Sequence, residues 1–310
     1  MGNPQLSCVK ENMQKIGILT RNERSWCSSQ LGEAIIKRGF QPVYFIFPRL
    51  MARVGFKPEV SLEDIDVLRG LKAIIVRPIG RGSLEEIIFR MDLLHRLRRL
   101  GLYILNPPHA IERSVDKYYT LSLLEEAGLP VPKTAVTESA RDALKAFNEL
   151  GGDVVIKPIF GSRGVGSVRV SSPDVAERIF RALEFHHQVI YMQEFIEHGN
   201  YDLRIFVLGG RVLAAMRRVS QGLWKTNVSL GATPVPYEPP MEIGRLAVRA
   251  AEVVGCEVAG VDILESDRGP FIIEINSQPG WRGLQTVTKF NIAEKIVDYV
   301  IGRISEMEKG

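Results

Sequence analysis

The sequence is poor in cysteine and has no long apolar run. Its three cysteines, Cys8, Cys27 and Cys256, lack the spacing of a metal-binding cluster, and they fit a reducing compartment. No segment approaches the ~20 apolar residues that a membrane span requires, and the first residues lack the apolar core of a secretion signal. We therefore expect a cytoplasmic protein without membrane association, which begins with a polar, flexible tail over residues 1–14.

The chain also lacks a strong charge imbalance. It carries 40 lysines and arginines against 36 acidic residues in 310, a net charge of +4. The basic run Arg90–Arg99 has leucines at helical spacing, which favours a solvated helix face over a nucleic-acid patch. We expect no nucleic-acid partner.

Several familiar nucleotide motifs are missing. No Gly-x-Gly-x-x-Gly follows the first apolar run, Lys15–Thr20, so a Rossmann dinucleotide site has little support. No glycine loop ends in Gly-Lys-Ser/Thr, and the His-Arg-Asp and Asp-Phe-Gly motifs of kinases are absent. Up to about Leu105, strand-like and helix-like segments alternate, which predicts a parallel α/β sheet.

The most informative stretch is Val258–Gly280. Two apolar strands, Val258–Leu264 and Phe271–Asn276, flank turn residues, and a turn centred near Arg268 would place Asp262 directly opposite Glu274. Asn276 follows Glu274 by two residues and shares its face. Opposed carboxylates repel each other, and buried ones are costly unless they are paired or bind a metal. Two carboxylates and an amide oxygen suit Mg²⁺; the alternative is a solvated strand face.

A glycine-rich segment, Ile159–Gly166, joins the strand Asp153–Pro158 to the strand Ser167–Val170. Bare backbone amides in such a loop can cover phosphates, and Lys157 ends the incoming strand, within reach of them. The alternative is a plain flexible hairpin. The linker Gln193–Ile196 follows these strands, where backbone groups could recognise adenine.

A predicted hairpin, Tyr201–Val219, turns at Gly209-Gly210 and places Asp202, Arg204 and Phe206 on one face. A two-residue turn would bring Arg217 to that face, and a one-residue bulge would bring Arg218 instead. Either arginine could hold a phosphate or carboxylate in a bidentate manner, and a pair of edge salt bridges is the alternative.

The order of these motifs along the chain resembles that of the ATP-grasp superfamily, and within it that of the RimK-type α-L-glutamate ligases. The resemblance spans about Lys15 to Ile304 and is most specific in DLRIFVLGGRVLAAMRR and AGVDILESDRGPFIIEIN. It implies an α/β fold that is α+β in its ATP-binding part. The implied domains are an N-terminal parallel α/β subdomain (15–107), a central ATP-grasp subdomain with the glycine loop (108–196), a C-terminal one with the Mg²⁺ site (197–305) and a short tail (306–310).

The resemblance implies a reaction in which ATP phosphorylates a carboxylate and L-glutamate displaces the phosphate to form an amide. It also implies a role for each matching residue. Asp262, Glu274 and Asn276 become ligands of Mg²⁺ or Mn²⁺, with two ions expected, and Arg218, Lys157 and Asn227 become catalytic. The ATP-binding set is Lys117, Lys157, Gly161, Ser162, Gly164, Gly166, Gln193, Glu194, Phe195, Ile196, Asp202, Arg204, Lys225, Thr226 and Asn227, with Asp202 near the ribose.

Two features depart from many RimK-type relatives. Lys225-Thr226-Asn227 stands where they often have Arg-Ser-Asn, and Asn276-Ser277-Gln278-Pro279-Gly280 replaces their Asn-x-Ser/Thr-Pro-Gly. The second feature resembles the branch that adds glutamate to tetrahydromethanopterin. An acidic, pterin-type acceptor would make Arg77, Arg81 and Arg282 candidate contacts and Trp281 a stacking surface, although ordinary surface and packing roles are the alternative.

Other acceptors fit the same chemistry: a ribosomal protein tail, a deazaflavin coenzyme or the carrier protein of lysine biosynthesis. An ATP-binding regulator without catalysis is the alternative from another class, and the complete metal set argues against it. The resemblance further implies a homo-oligomer.

Overall fold

The computed structural model describes residues 13–161, 165–220 and 231–309. Sixteen strands lie in these ranges, in chain order from β1 to β16: Lys15–Leu19, Gln41–Phe45, Leu50–Ala52, Val60–Leu62, Ile65–Asp66, Ala73–Val76, Tyr103–Leu105, Thr134–Thr137, Val154–Lys157, Val168–Val170, Ile190–Glu194, Tyr201–Leu208, Arg211–Val219, Thr233–Pro236, Val258–Ser266 and Gly269–Asn276.

Ten α-helices lie in the same part of the chain, from α1 to α10: Trp26–Lys37, Val67–Gly70, Leu84–Arg99, Pro108–Val115, Lys117–Glu126, Ala140–Glu149, Pro173–Phe185, Met241–Val254, Arg282–Gln285 and Ile292–Met307. None of the helices described is long and apolar enough to cross a membrane. The predicted flexible tail falls almost entirely on residues 1–12, outside the described residues.

The chain divides into two compact units. The first comprises residues 1–111 and 278–310, and the second comprises residues 112–277. The three-subdomain division expected from the family resemblance stays a prediction.

The first unit is built on a parallel four-stranded sheet, in the order β2-β1-β6-β7. β1 and β6 are wholly or almost wholly apolar and buried, as expected for strands covered on both faces. Its helix α3 begins with a capping box in which Ser83 and Glu86 bond each other's backbone amides. A small antiparallel sheet, β3-β4-β5, packs its Leu50, Val60 and Leu62 into the same core as α3.

The second unit holds two antiparallel sheets. One has the order β10-β9-β11-β8, and helices α6 and α7 pack on it through a core that includes Phe147 and Phe180. The other has the order β14-β13-β12-β15-β16. The predicted fold class, α/β at the N-terminus and α+β in the second half, is confirmed.

Candidate active site

The three residues predicted to bind a metal ion lie on the hairpin β15–β16. Asp262 is paired directly with Glu274 across the two strands, as the sequence predicted. The strands turn at Asp267-Arg268, which alone would place Asp262 opposite Ile273, and a register shift between Asp262 and Ile263 brings Glu274 there instead. Asn276 is paired with Gly260, and its Nδ2 lies 3.5 Å from the Gly260 carbonyl oxygen, to which it donates. Because Nδ2 is the donor in this bond, the amide oxygen is the atom of Asn276 that would bind a cation.

This set fits a hard divalent cation. Among the described residues, the Glu274 carboxylate has no hydrogen bond or ion pair, and burial together with the charge of Asp262 raises its pKa. Asp262 Oδ1 lies against Arg204 Nε, yet neither atom has a partner of hydrogen-bond geometry. The described residues contain no cluster of three His, Cys, Asp or Glu side chains, so the third protein oxygen would come from Asn276.

Two arginines hold Asp262 from the neighbouring strands β12 and β13. Arg204 Nη2 donates to Asp262 Oδ2 at 2.8 Å, and Arg218 Nη2 lies 3.1 Å from the same oxygen. Arg218 also binds both oxygens of Asp202, with its Nε 2.6 Å from Oδ1. Asp202, Arg218 and Asp262 are only 2–4% exposed, so this ionic network is shielded from water.

The network fixes the charge of Arg218. Burial alone would lower the pKa of Arg218, but the nearby charges of Asp262 and Asp202 outweigh burial and raise it. Asp202, which the family resemblance placed near the ribose, has both oxygens bound to Arg218. Its visible task in this structure is therefore to hold that guanidinium.

A bulge decides which arginine reaches this network. The register of β12 and β13 shifts between Phe206 and Val207, and Arg218 therefore lies opposite Asp202. Arg217 lies on the other face, with its guanidinium 4.7 Å from the ring centroids of both Tyr201 and Tyr237. Of the two arrangements that the sequence allowed, the structure has the bulged one.

The lysine at the end of β9 lies close to the acidic pair. Lys157 Nζ donates to Gln193 Oε1 at 2.6 Å. Burial lowers the pKa of Lys157 to about 8, although the charges of Glu274 and Asp262 act in the opposite direction. These influences show that Lys157, Glu274 and Asp262 share one electrostatic environment.

A second lysine, at the first position of α5, holds the start of the glycine-rich segment. Lys117 Nζ donates to the carbonyl oxygens of Ile159 and Gly161, at 3.3 and 3.0 Å. Burial lowers its pKa, while Glu274 raises it. At the far end of the segment, Gly166 has φ +80°, a conformation that glycine adopts without strain.

Several predicted residues lie outside the described part of the chain. Ser162 and Gly164 of the glycine-rich segment belong to this group, as do Lys225, Thr226 and Asn227. Their roles stay predictions.

The linker that the sequence assigned to adenine is closely held within the second unit. The Glu194 carboxylate accepts from the backbone N–H of Lys133 at 2.9 Å, and it pairs with Arg268 at 2.9 Å. Phe195 N donates to Asp153 O at 2.9 Å, and Arg169 covers the Phe195 ring at 3.5 Å. Next to it, Ile196 is buried.

Sequence reasoning missed three residues that support the predicted site, namely Thr134, Tyr191 and Arg268. Gln193 Nε2 donates to the Thr134 hydroxyl at 3.1 Å and lies 3.5 Å from the Tyr191 hydroxyl, which orients its Oε1 toward Lys157. Arg268, assigned only to a turn, holds Glu194. The partners of Thr134 and Arg268 are distant in the chain, so no local pattern marks these two residues. Tyr191 lies two residues before Gln193 on the same strand, and this spacing is the one local signal that could have indicated it.

Comparison with known proteins identifies the fold. The sequence profile described as the RimK-like ATP-grasp domain matches residues 114–300. The chain belongs to this family. The predicted enzyme class is confirmed as well, because the family is one of ligases and its curated relatives are named as such.

Two relatives of this RimK-like chain are named tetrahydromethanopterin:α-L-glutamate ligase. The one from Methanosarcina acetivorans is 33% identical, over 93% of this chain and 99% of its own length. The one from Methanococcus maripaludis is 34% identical, over 94% and 99%. A protein named probable α-L-glutamate ligase, from Syntrophotalea carbinolica, is 35% identical over 92% and 95%.

Solved ATP-grasp structures share the fold. A RimK domain protein from Sphaerobacter thermophilus has a TM-score of 0.73 at 22% identity, covering 93% of this chain and all of that one. The ligase PsnB, solved with a minimal precursor, Mg and ADP, has a TM-score of 0.75 at 20% identity, covering 94% and 98%. The predicted ATP-grasp fold is thereby confirmed.

Proposed function

We propose that this RimK-like chain is an ATP-dependent carboxylate–amine ligase that adds L-glutamate to tetrahydromethanopterin. The observation that carries the ligase chemistry is the unpartnered Glu274 carboxylate directly opposite Asp262, with the half-buried lysines Lys117 and Lys157 in the same electrostatic environment. In such a site the carboxylates can bind a divalent cation and the lysines can bind phosphates. Phosphoryl transfer requires both.

The reaction has two steps. An acceptor carboxylate oxygen attacks the γ-phosphorus of ATP, the bond to the β-γ bridging oxygen breaks, and ADP leaves. The amine of L-glutamate then attacks the acyl carbon of the acyl phosphate, inorganic phosphate leaves, and the nitrogen loses a proton. No protein nucleophile is needed.

Each described residue has a task in this scheme. Lys117 and Lys157 bind the ATP phosphates, and Arg218 stabilises the charge that develops on the transferred group. Asp262, Glu274 and Asn276 would hold Mg²⁺, which when bound neutralises phosphate charge. The linker from Gln193 to Ile196 would receive adenine.

The acceptor is supported by the two relatives named for tetrahydromethanopterin, which match this chain over nearly their whole length. Bacterial relatives at similar identity are named only as probable α-L-glutamate ligases, and several structural neighbours are solved with precursor peptides. The experiment must therefore compare acceptors.

The test is phosphate release from ATP and Mg²⁺ with L-glutamate, measured for tetrahydromethanopterin, a deazaflavin coenzyme, a ribosomal protein tail and a lysine-biosynthesis carrier protein. We expect acceptor-dependent release with tetrahydromethanopterin and a product that gains one glutamyl residue by mass spectrometry. Replacing L-glutamate by hydroxylamine should trap the acyl phosphate as a hydroxamate. The Glu274→Gln variant is the inactive control.

A product on a different acceptor would keep the ligase chemistry and reject tetrahydromethanopterin. ATP binding without acceptor-dependent release for any of the four would favour the regulator and reject the proposal.

A further inference from the structure

The parallel sheet of the first unit contains a crevice at the carboxyl ends of its strands. From β1 the chain passes through α1 to β2 on one side, and it then crosses to β6 on the other side of β1. Right-handed crossovers therefore place α1 and α3 on opposite faces, and the loops after β1 and β6 diverge. In open α/β sheets, this switch point is where ligands bind.

A cavity of about 290 Å³ lies at this point. It is formed by the loops that follow β1, β2 and β6. One wall is apolar, with Ile46, Phe47, Pro78 and Ile79, and Arg21 and Arg81 line it from the loops after β1 and β6. This volume lies at the lower end of the range for ligand pockets, so the crevice suits one part of a larger molecule.

The positive charge of the crevice is not neutralised within the described residues. Neither the Arg21 nor the Arg81 side chain has an ion pair there. Arg90, which also lines the cavity, is already occupied by Glu86 at 2.9 Å and by the Arg81 carbonyl oxygen at 3.0 Å. Among the described residues that line the cavity, Arg21 and Arg81 are therefore the arginines whose charge is available to an anion.

A third arginine, Arg77, directly follows β6 and lies next to this crevice. Arg77 is only 8% exposed and has no acidic partner among the described residues. It lies 4.9 Å above the ring of Trp281, which is itself 1% exposed and meets Trp26 edge-on at 6.3 Å. Trp281 is therefore packed, and the stacking surface considered for it from the sequence is already covered by Arg77.

We propose that this crevice recognises the acceptor of the ligation, as a flat ring system joined to a carboxylate or phosphate group. The anion binds Arg21 and Arg81, and the ring packs on Ile46, Pro78 and Ile79. This inference rests on the proposed function. L-Glutamate has no flat apolar part for the wall, and the residues proposed for ATP belong to the second unit.

The test uses the full chain and steady-state kinetics with the acceptor that the wild-type enzyme turns over, tetrahydromethanopterin first. Arg21→Met and Arg81→Met keep the side-chain length and remove the charge. Each should raise the KM for the acceptor about tenfold or more, because a charge-assisted hydrogen bond is lost. The KM values for ATP and L-glutamate, and kcat, should not change.

Arg99→Met is the matched control. It removes an exposed arginine from the last turn of α3, which ends near the amino end of β7 and not at the carboxyl-end crevice, and it should leave every constant at the wild-type value. An unchanged acceptor KM in both crevice variants would overturn the inference while the proposed function stands. A raised KM for L-glutamate alone would overturn it too. If wild-type enzyme turns over no acceptor, the proposed function fails and this inference fails with it.

Discussion

At the scale of single residues, Asp262 is the point on which three others converge. Arg204 and Arg218 bind its carboxylate, and Glu274 faces it without a partner. The charge of Asp262 is therefore compensated by two arginines, and the charge of Glu274 is not. This asymmetry makes the two carboxylates respond differently to substitution.

Replacing Glu274 by glutamine should stabilise the protein in EDTA and abolish turnover. The raised pKa of Glu274 means that folding disfavours its charge, so the free energy of unfolding of the wild type falls as pH rises above the ordinary glutamate range. Glutamine removes that part of the pH dependence and also removes a metal ligand. Thermal unfolding in EDTA across pH, together with phosphate release, measures both effects.

The control for this substitution is Asp267→Asn, in the exposed turn of the same hairpin, which should behave as wild type in both assays. Lower stability of Glu274→Gln at neutral pH, or retained turnover, would contradict the assignment of Glu274.

Replacing Asp202 by asparagine should lower both stability and kcat. Removing one partner of a buried ion pair costs about 3 kcal/mol, and a misplaced Arg218 should reduce kcat about 100-fold. The KM for ATP should change little if Asp202 acts through Arg218 and not on the nucleotide. Urea unfolding and steady-state kinetics separate these effects.

Asp153→Asn is the matched control, since Asp153 forms a similar two-bonded pair with Arg169 at the surface, at 2.9 and 2.6 Å. It should cost less than about 1 kcal/mol. A large rise in the KM for ATP in Asp202→Asn, with kcat unchanged, would restore the ribose role predicted from the resemblance.

ATP binding should take up protons through Lys157. With a pKa of about 8, this lysine is mostly neutral at pH 8.5, and bound phosphate favours its charged form. Calorimetry in buffers of different ionisation enthalpy should show uptake of about 0.75 proton per ATP at that pH. Affinity for ATP should fall as pH rises through 8.

Lys157→Met should remove this uptake, whereas Lys145→Met, which removes an exposed lysine paired with Asp142, should not. Uptake that persists without Lys157 would assign the proton to another group.

At the scale of elements, the candidate site depends on strand register. The bulge in β12–β13 gives Arg217 and Arg218 opposite faces, one between two tyrosines and one on the ionic network. The two arginines are neighbours in sequence and should nevertheless have separable roles.

We therefore expect Arg218→Met to abolish acceptor-dependent phosphate release, and Arg217→Met to retain it. Losing the two cation–π contacts of Arg217 should instead lower the free energy of unfolding by about 1–2 kcal/mol. Phosphate release and urea unfolding of the two variants provide the comparison. Equal loss of activity in both would show that the register differs from the one described.

At the scale of the whole molecule, the first unit is built from both ends of the chain. Helix α10 packs on α1, and Glu294 and Asp298 on α10 bind Arg38 at the end of α1. The buried face of α10 carries Ile296, Val297, Val300 and Ile304. The first unit therefore needs the last helix to complete its core.

Deleting residues 291–310 should unfold the first unit. Each buried aliphatic side chain contributes about 1.5–3 kcal/mol, and together they rival the total stability of a domain. Limited proteolysis followed by mass spectrometry should show new cleavage within residues 13–111. Lys37→Gln, which removes only an exposed ion pair with Glu294, is the control and should leave the pattern unchanged. A truncated chain that resists cleavage in that range would contradict this view of the unit.

The sequence by itself determined the elements and pairings that depend on neighbouring residues. Side chains alternate along a strand, so the sequence put Asn276 on the same face as Glu274. It also predicted Asp262 opposite Glu274 from a turn centred near Arg268, but the structure reaches that pairing through the two-residue turn Asp267-Arg268 and a register shift next to Asp262. The alternation of strand-like and helix-like segments, which depends on neighbouring residues, predicted the parallel sheet of the first unit. The order of the motifs along the chain indicated the family.

Tertiary structure decided the contacts between distant segments. Only the bulge selected Arg218 over Arg217. Only the folded second unit brought Asp202 to Arg218, Gln193 to Lys157 and Arg268 to Glu194. Trp281, open to two interpretations in the sequence, proved to be packed beneath Arg77. The physical reason is common to all of them: local preference sets which face a side chain occupies, whereas its partner there is set by register and packing across the whole sheet.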